Sequence, residues 1–197
     1  MATADHKAFI AQTIQQSLDL KSQLLQDSEL LDRINTAGNR CIDTFKAGNR
    51  VLLAGNGGSA ADAQHIAAEF VCRFNFERPG LPAMALATNY SVITAAGNDY
   101  SYENVFAREV EANGHEGDIF IGITTSGNSA NILKAIEASQ KTGIYTLGLT
   151  GTGGAIQETA DLCLAVPSSC TPRIQECHIL IGHILCEIVE NTLFTRR

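Results

Sequence analysis

The sequence predicts an α/β protein: a three-layer αβα arrangement with a five-stranded parallel sheet, preceded by N-terminal helices. Three observations predict it. Five short apolar runs recur along the chain, and their near-continuous hydrophobicity suits strands covered on both faces. Segments with helical spacing separate these runs, the alternation that builds a parallel sheet. Two strand-to-helix junctions are polar and contain glycine, and ligands in such folds sit at the carboxyl ends of strands.

The elements follow in order. Phe9, Ile10, Ile14, Leu18 and Leu25 mark one stripe of a first helix spanning roughly residues 4 to 26. This helix precedes every strand and has no sheet face of its own to cover. A second subunit is its expected cover, with docking on its own domain as the alternative. Asp27 or Ser28 caps a second helix carrying Leu30, Leu31, Ile34, Cys41, Ile42 and Phe45, closed by Gly48. Val51 to Ala54 is the first strand, and Gly55-Asn56-Gly57-Gly58-Ser59 is a glycine-rich turn. Ser59 followed by Asp62 forms a capping-box pattern, so the next helix is expected to begin at Ser59. Ala83 to Ala87 is a short second strand. A polar stretch from Thr88 to Tyr102 follows, with Gly97-Asn98-Asp99 as a turn, then a helix near Glu103 to Ala112. Asp118 to Ile123 is the third strand. The loop Thr124-Thr125-Ser126-Gly127-Asn128-Ser129 leads into a helix with Ile132, Leu133 and Ile136, ended by Gly143. Tyr145 to Thr150 and Leu162 to Val166 are the last strands. Thr171 as N-cap and Pro172 at the first helical position open a long C-terminal helix. The expected organisation is a single domain over 1–197, with 1–48 as leading helices at a subunit interface.

Composition narrows the function classes. A chain of 197 residues fits one domain burying about 70% of its unfolded surface. Its 45% hydrophobic and 18% charged content is that of an ordinary soluble globular protein. The net charge of −7, without a Lys/Arg cluster, opposes nucleic-acid binding. The longest apolar runs are strand-sized, so no membrane span is expected. Met1 to Lys7 is polar and has no apolar signal core. Six cysteines without a C-x-x-C pair read as small buried apolar residues of a reducing compartment. The cytoplasm is the expected location.

Several residues carry chemistry. Glycines 55, 57 and 58 remove Cβ atoms that would keep a ligand from backbone N–H groups, and the following helix N-terminus favours an anion. His65 and Glu69 stand at i and i+4, which puts an imidazole and a carboxylate on one helical face. The pair suits a metal or proton transfer, although the same spacing also arises as a plain surface contact. A turn before a helix needs one hydroxyl as N-cap, and Ser129 could be that alone. Four hydroxyls, on Thr124, Thr125, Ser126 and Ser129, favour a phosphate cradle that needs no lysine. Gly55-x-Gly57-x-x-Ala60 also fits the dinucleotide fingerprint. That fingerprint wants an acidic residue ending the second strand, where this chain has Thr88 and Asn89, so a nicotinamide dehydrogenase is disfavoured. Gln175, Ile179 and His183 follow i, i+4, i+8 through an apolar helix, so His183 lies in the core or in a site. Gln175 and His183 are about 12 Å apart along the axis, and meeting at one point would need both side chains to converge. Spacing leaves that open. His178 points away from His183 and reads as structural; His6 and His115 have no partners in sequence.

These residues resemble the phosphoheptose isomerases of the sugar-isomerase (SIS) domain group. The resemblance runs from the leading helices to nearly the last residue. It rests on Gly55-Asn56-Gly57-Gly58-Ser59-Ala60-Ala61-Asp62-Ala63-Gln64-His65, Arg78-Pro79-Gly80, Gly97-Asn98-Asp99, Thr125-Ser126-Gly127-Asn128-Ser129, and Arg173-Ile174-Gln175-Glu176 with His183. It implies a flavodoxin-like SIS fold. It implies that Ser59, Thr124, Ser126 and Ser129 bind the substrate phosphate and that Asn56, Asp99 and Thr125 touch the sugar, with Gly57, Gly58 and Gln175 also at the substrate site. It implies one zinc per subunit on His65, Glu69, Gln175 and His183, with Glu69 and His183 placed for proton transfer. The implied reaction is a 1,2 ketose–aldose isomerisation of sedoheptulose 7-phosphate through an enediol(ate), feeding the heptose of bacterial lipopolysaccharide. The implied assembly is a homotetramer with sites between subunits. Thr124 departs from the Ser of many relatives but keeps the hydroxyl; Pro172 removes any polar role at its position.

Two rivals share these features. One is a non-catalytic SIS scaffold or regulator binding a replication-initiation partner or sensing a phosphosugar; the presence of Glu69 and His183 argues against it. The other is an isomerase for a different phosphosugar, such as arabinose 5-phosphate or an amino sugar, and hydroxyl counts do not exclude it.

Overall fold

The computed structural model describes residues 5–196. Strands β1 (Val51–Gly55), β2 (Ala83–Ala85), β3 (Ile119–Ile123), β4 (Tyr145–Thr150) and β5 (Leu162–Ala165) form one sheet. Their order is β2-β1-β3-β4-β5 and every neighbouring pair is parallel. This is the flavodoxin-like strand order, whose switch point lies between β1 and β3. Successive strand side chains point to opposite faces. Val51, Leu53, Ile119 and Ile121 enter one core, and Leu52, Ala54 and Phe120 enter the other. Helices α1 (Lys7–Gln26), α2 (Ser28–Lys46), α3 (Gly58–Val71) and α8 (Thr171–Leu193) pack on the first face. Helices α4 (Tyr90–Asp99), α5 (Val105–Asn113), α6 (Ala130–Lys141) and α7 (Ile156–Thr159) pack on the second. The three-layer αβα expectation is met.

Local signals behave unevenly. Asp27 caps α2, its carboxylate accepting the Leu30 N–H at 3.0 Å. The expected start of α1 at residue 4 lies outside the described residues; the helix begins at Lys7. Its predicted stripe faces outward, with Phe9 68% and Leu25 73% exposed, while Leu20 and Leu24 are the residues that dock on the domain. The expected Ser59 cap is corrected. Gly57 is the N-cap at φ 57°, a conformation glycine adopts without strain, so α3 starts one residue sooner. The polar stretch after β2 is also corrected: it is helix α4, capped by the Asn89 side chain accepting Ser91 N–H at 3.0 Å, with Gly97-Asn98-Asp99 as its last turn. Only Ala96 of α4 is buried, so its sequence had no apolar period to display. Cys170, not Thr171, is the N-cap of α8. All six cysteines are free, but Cys72 and Cys170 are exposed, against the expectation that all are buried. Burial pushes the Cys41 thiol up to about 12 and Cys163 to about 11, keeping both neutral.

Buried polar groups fix how α3 and α8 lie together. The Arg78 guanidinium pairs with Glu190 at 3.3 Å and donates to the carbonyls of Glu69, Phe70, Cys72 and Pro79. Glu190 also accepts the N–H groups of Phe74 at 2.9 Å and Asn75 at 2.7 Å. Both side chains are almost fully buried, so their charges survive only because each is so completely bonded. His178 is buried as well. Its Nε2 lies 3.1 Å from the Thr150 carbonyl, which fits a neutral ring donating there, and burial lowers its pKa to about 4.

Two outcomes follow. Glu190→Ala leaves Arg78 charged and unpaired in the interior, and urea titration is expected to read a loss of about 3–5 kcal/mol. His178 binds its proton less readily folded than unfolded, so its contribution is complete above its ordinary pKa and is lost as pH falls toward 4. Stability measured between pH 7 and pH 4 should therefore drop by at most about 1.4 kcal/mol per pH unit from this residue, and His178→Gln should flatten that slope.

Candidate active site

The site forms where β1 and β3 end. The loop after β1 carries Asn56, Gly57 and Gly58 into α3, and the loop after β3 carries residues 124–129 into α6. Adjacent parallel strands bring both helix N-termini to one crevice, each presenting unpaired N–H groups and a positive dipole end. A reciprocal amide pair joins the loops: Asn56 Nδ2 donates to Asn131 Oδ1 at 2.9 Å, and Asn131 Nδ2 donates to Asn56 Oδ1 at 2.8 Å. Tyr102 donates its hydroxyl to the same Asn56 oxygen at 3.0 Å. The Asn56 side chain is thus held in one orientation.

The hydroxyls of the second loop cluster. Thr124 Oγ1 stands 2.8 Å from Ser129 Oγ and 3.3 Å from Ser126 Oγ, and Ser126 Oγ accepts the Asn128 N–H at 3.2 Å. Ser129 occupies the N-cap of α6 yet makes no side-chain capping bond; its hydroxyl turns to Thr124 instead. The bland capping role is therefore not how this hydroxyl is used. Ser59 is buried at the start of α3, and among the described residues no hydrogen bond occupies its hydroxyl. These groups can hold a dianion with neutral donors.

A second cluster lies along α3 and α8. His65 Nε2 is 3.2 Å from Glu69 Oε1 and 3.1 Å from His183 Nε2. Phe74 packs against the His183 ring, with centroids 5.5 Å apart. The two helices run in the same direction, with Gln175 beside Gly58, Gly182 beside Ile66, and Glu190 beside the end of α3. A Cβ on Gly58 would stand 2.6 Å from Gln175 Nε2, so the glycine makes room for that amide. Gln175 thus lies at the loop end of α3, without a hydrogen bond to His65, Glu69 or His183 among the described residues. Asp62, one turn before His65, keeps a buried Oδ2 with no hydrogen-bond partner among the described residues; burial pushes its carboxyl up and His65 opposes this.

These spacings bear on a metal. Around a tetrahedral zinc with Zn–N near 2.05 Å, ligand atoms stand about 3.3 Å apart. The separations of His65 Nε2 from His183 Nε2 and from Glu69 Oε1 match that spacing. Among the described residues no three or more His, Cys, Asp or Glu side chains are gathered into a ready-made cage. The fit lies in the pairwise spacing around His65 and in the mixed N and O donor set.

Among the described residues Asp99 makes no hydrogen bond to either cluster. It ends α4, exposed, accepting Asn98 Nδ2 at 2.8 Å. Sequence reasoning missed Asn131, Tyr102 and Phe74. None of the three carried a signal, because their partners are distant in the chain.

The SIS domain family matches residues 14–151. A phosphoheptose isomerase of Aneurinibacillus thermoaerophilus is 55% identical over 190 residues, covering 96% of each chain. Phosphoheptose isomerase 2 of Campylobacter jejuni is 59% identical over 179 residues, covering 90% of this chain and 89% of that one. The structure of a phosphoheptose isomerase from Francisella tularensis superposes with a TM-score of 0.90 at 38% identity, covering 95% of this chain and all of the other. Fold, loops and extent of identity agree, and the chain belongs to the phosphoheptose isomerase family of SIS-domain proteins.

Proposed function

We propose that this enzyme converts sedoheptulose 7-phosphate to D-glycero-D-manno-heptose 7-phosphate in the cytoplasm, supplying heptose for lipopolysaccharide. The observation that carries the reading is the convergence of His65, Glu69 and His183 beside a crevice lined by hydroxyls and two helix N-termini. That pairing of an anion site with an imidazole–carboxylate group suits a phosphosugar whose reacting carbonyl lies at the end away from the phosphate. The near-full-length identity to phosphoheptose isomerases favours the seven-carbon sugar over the scaffold and shorter-sugar readings.

In this reading Ser59, Thr124, Ser126 and Ser129 hold the phosphate, and its remote binding energy orients the reacting end. Asn56, locked by Asn131 and Tyr102, presents its remaining amide hydrogen to the sugar; Thr125 and Asp99 complete that contact. Glu69 removes the C1 proton to form the cis-enediol(ate) and returns a proton to C2, while His183 moves a proton between O1 and O2. His65, Glu69, Gln175 and His183 would hold one zinc ion. When bound, the ion supplies Lewis-acid stabilisation of negative charge at the sugar oxygens. The outward-facing apolar stripe of α1 supports self-association through the leading helices, as a homotetramer with sites shared between subunits.

Turnover of purified protein on a panel of five- to seven-carbon ketose phosphates tests the substrate, with the C7 compound expected to have the highest kcat/KM. Glu69→Gln and His183→Ala are each expected to lower kcat by about 100- to 10,000-fold while substrate binding stays measurable; near-normal rates in either reject the proton-transfer assignment. Dialysis against a chelator should remove activity, and stoichiometric zinc should restore it. Full activity in metal-free protein would overturn the zinc assignment.

A further inference from the structure

The histidine pair sits beside a close contact between α3 and α8. Ile66 follows His65 and Gly182 precedes His183, and these two residues face each other. A Cβ at Gly182 would press on Ile66 Cδ1 and stand 2.7 Å from its Cγ1. Rotating the outer bond of Ile66 could move Cδ1 aside but would leave Cγ1 in place. Ile66 is 1% exposed and Gly182 is buried, so neither side has space to yield into. A glycine inside a long helix is otherwise unfavourable, since alanine is the better helix former. Its place here coincides with the one side chain that needs the room.

We propose that Gly182 is a positioning residue: by admitting Ile66 against the α8 backbone, it sets the 3.1 Å approach of His183 to His65. This rests on the reading of His65, Glu69 and His183 as the reacting centre. With the helices spread, the two Nε2 atoms no longer share one point, whereas the phosphate loops, built on β1 and β3, stay where they are. Gly182 touches neither sugar nor metal and acts only through the helix spacing.

Three proteins test this: the parent chain, Gly182→Ala, and Gly182→Ala combined with Ile66→Ala, which removes both Cγ1 and Cδ1 from the contact and leaves Cβ at 4.0 Å. In Gly182→Ala, zinc affinity measured against a competing chelator is expected to fall about 10- to 100-fold. Isomerase kcat is expected to fall about 100-fold with KM nearly unchanged, as for a misplacement felt in the transition state. The double variant should recover most of both losses. Crystals of metal-free Gly182→Ala should show the two Nε2 atoms beyond hydrogen-bond reach. Retention of parental zinc affinity and rate by Gly182→Ala, an unchanged spacing in its crystals, or failure of Ile66→Ala to rescue would each overturn the inference. A parent chain without zinc binding or turnover would instead defeat the functional reading, and the crystal spacing would still decide the role of Gly182.

Discussion

The side-by-side contact of α3 and α8 is the constraint on which the rest of this structure depends. Neither helix forms the histidine–carboxylate cluster alone: α3 supplies His65 and Glu69, and α8 supplies His183. Their approach is set at three levels along one seam. Gly58 admits Gln175 at the loop end, Gly182 admits Ile66 in the middle, and Arg78 with Glu190 clamps the far end. The clamp is polar because its task is geometric. A buried ion pair gains little over apolar packing, but its fixed bonding directions specify a single arrangement. Arg78 also fastens the carbonyl of Glu69 itself, so the clamp reaches the site directly.

The site divides its work between two kinds of chemistry. The crevice at β1 and β3 offers neutral donors, hydroxyls and helix N-termini, which suit a phosphate without placing a fixed positive charge in an acidic chain. The seam offers titratable groups, which suit proton movement and a cation. The amide pair of Asn56 and Asn131 bridges the two loops, so the anion-binding walls form a single rigid unit. In the proposed reaction, rigid walls and a rigid seam would keep the distance between phosphate and reacting carbon fixed, which is the condition for remote binding energy to serve catalysis.

Helix α1 shows a different use of apolar surface. Its inner residues Leu20 and Leu24 join the core, while Phe9, Ile10, Ile14 and Leu18 remain outside it. A helix that kept its whole apolar face for its own domain would not show that split. The outer stripe stays exposed on this chain and is the surface the proposed self-association would use.

By itself the sequence determined the alternation of strands and helices, the two loops at the strand ends, the hydroxyl set and the candidate histidines, because these depend on local period and residue type. It also exposed an apolar stripe on α1 with no sheet to cover. Helix α4 escaped it, since a helix with one buried residue has no pattern to read, and so did the glycine cap of α3, which depends on a backbone angle rather than a side chain. Only the tertiary structure decided which residues meet: His65 with His183 across 118 positions, Asn56 with Asn131 across 75, Arg78 with Glu190 across 112. Such pairs depend on how far apart two helices or loops are held, and that distance comes from what fills the space between them, a property no single stretch of chain encodes.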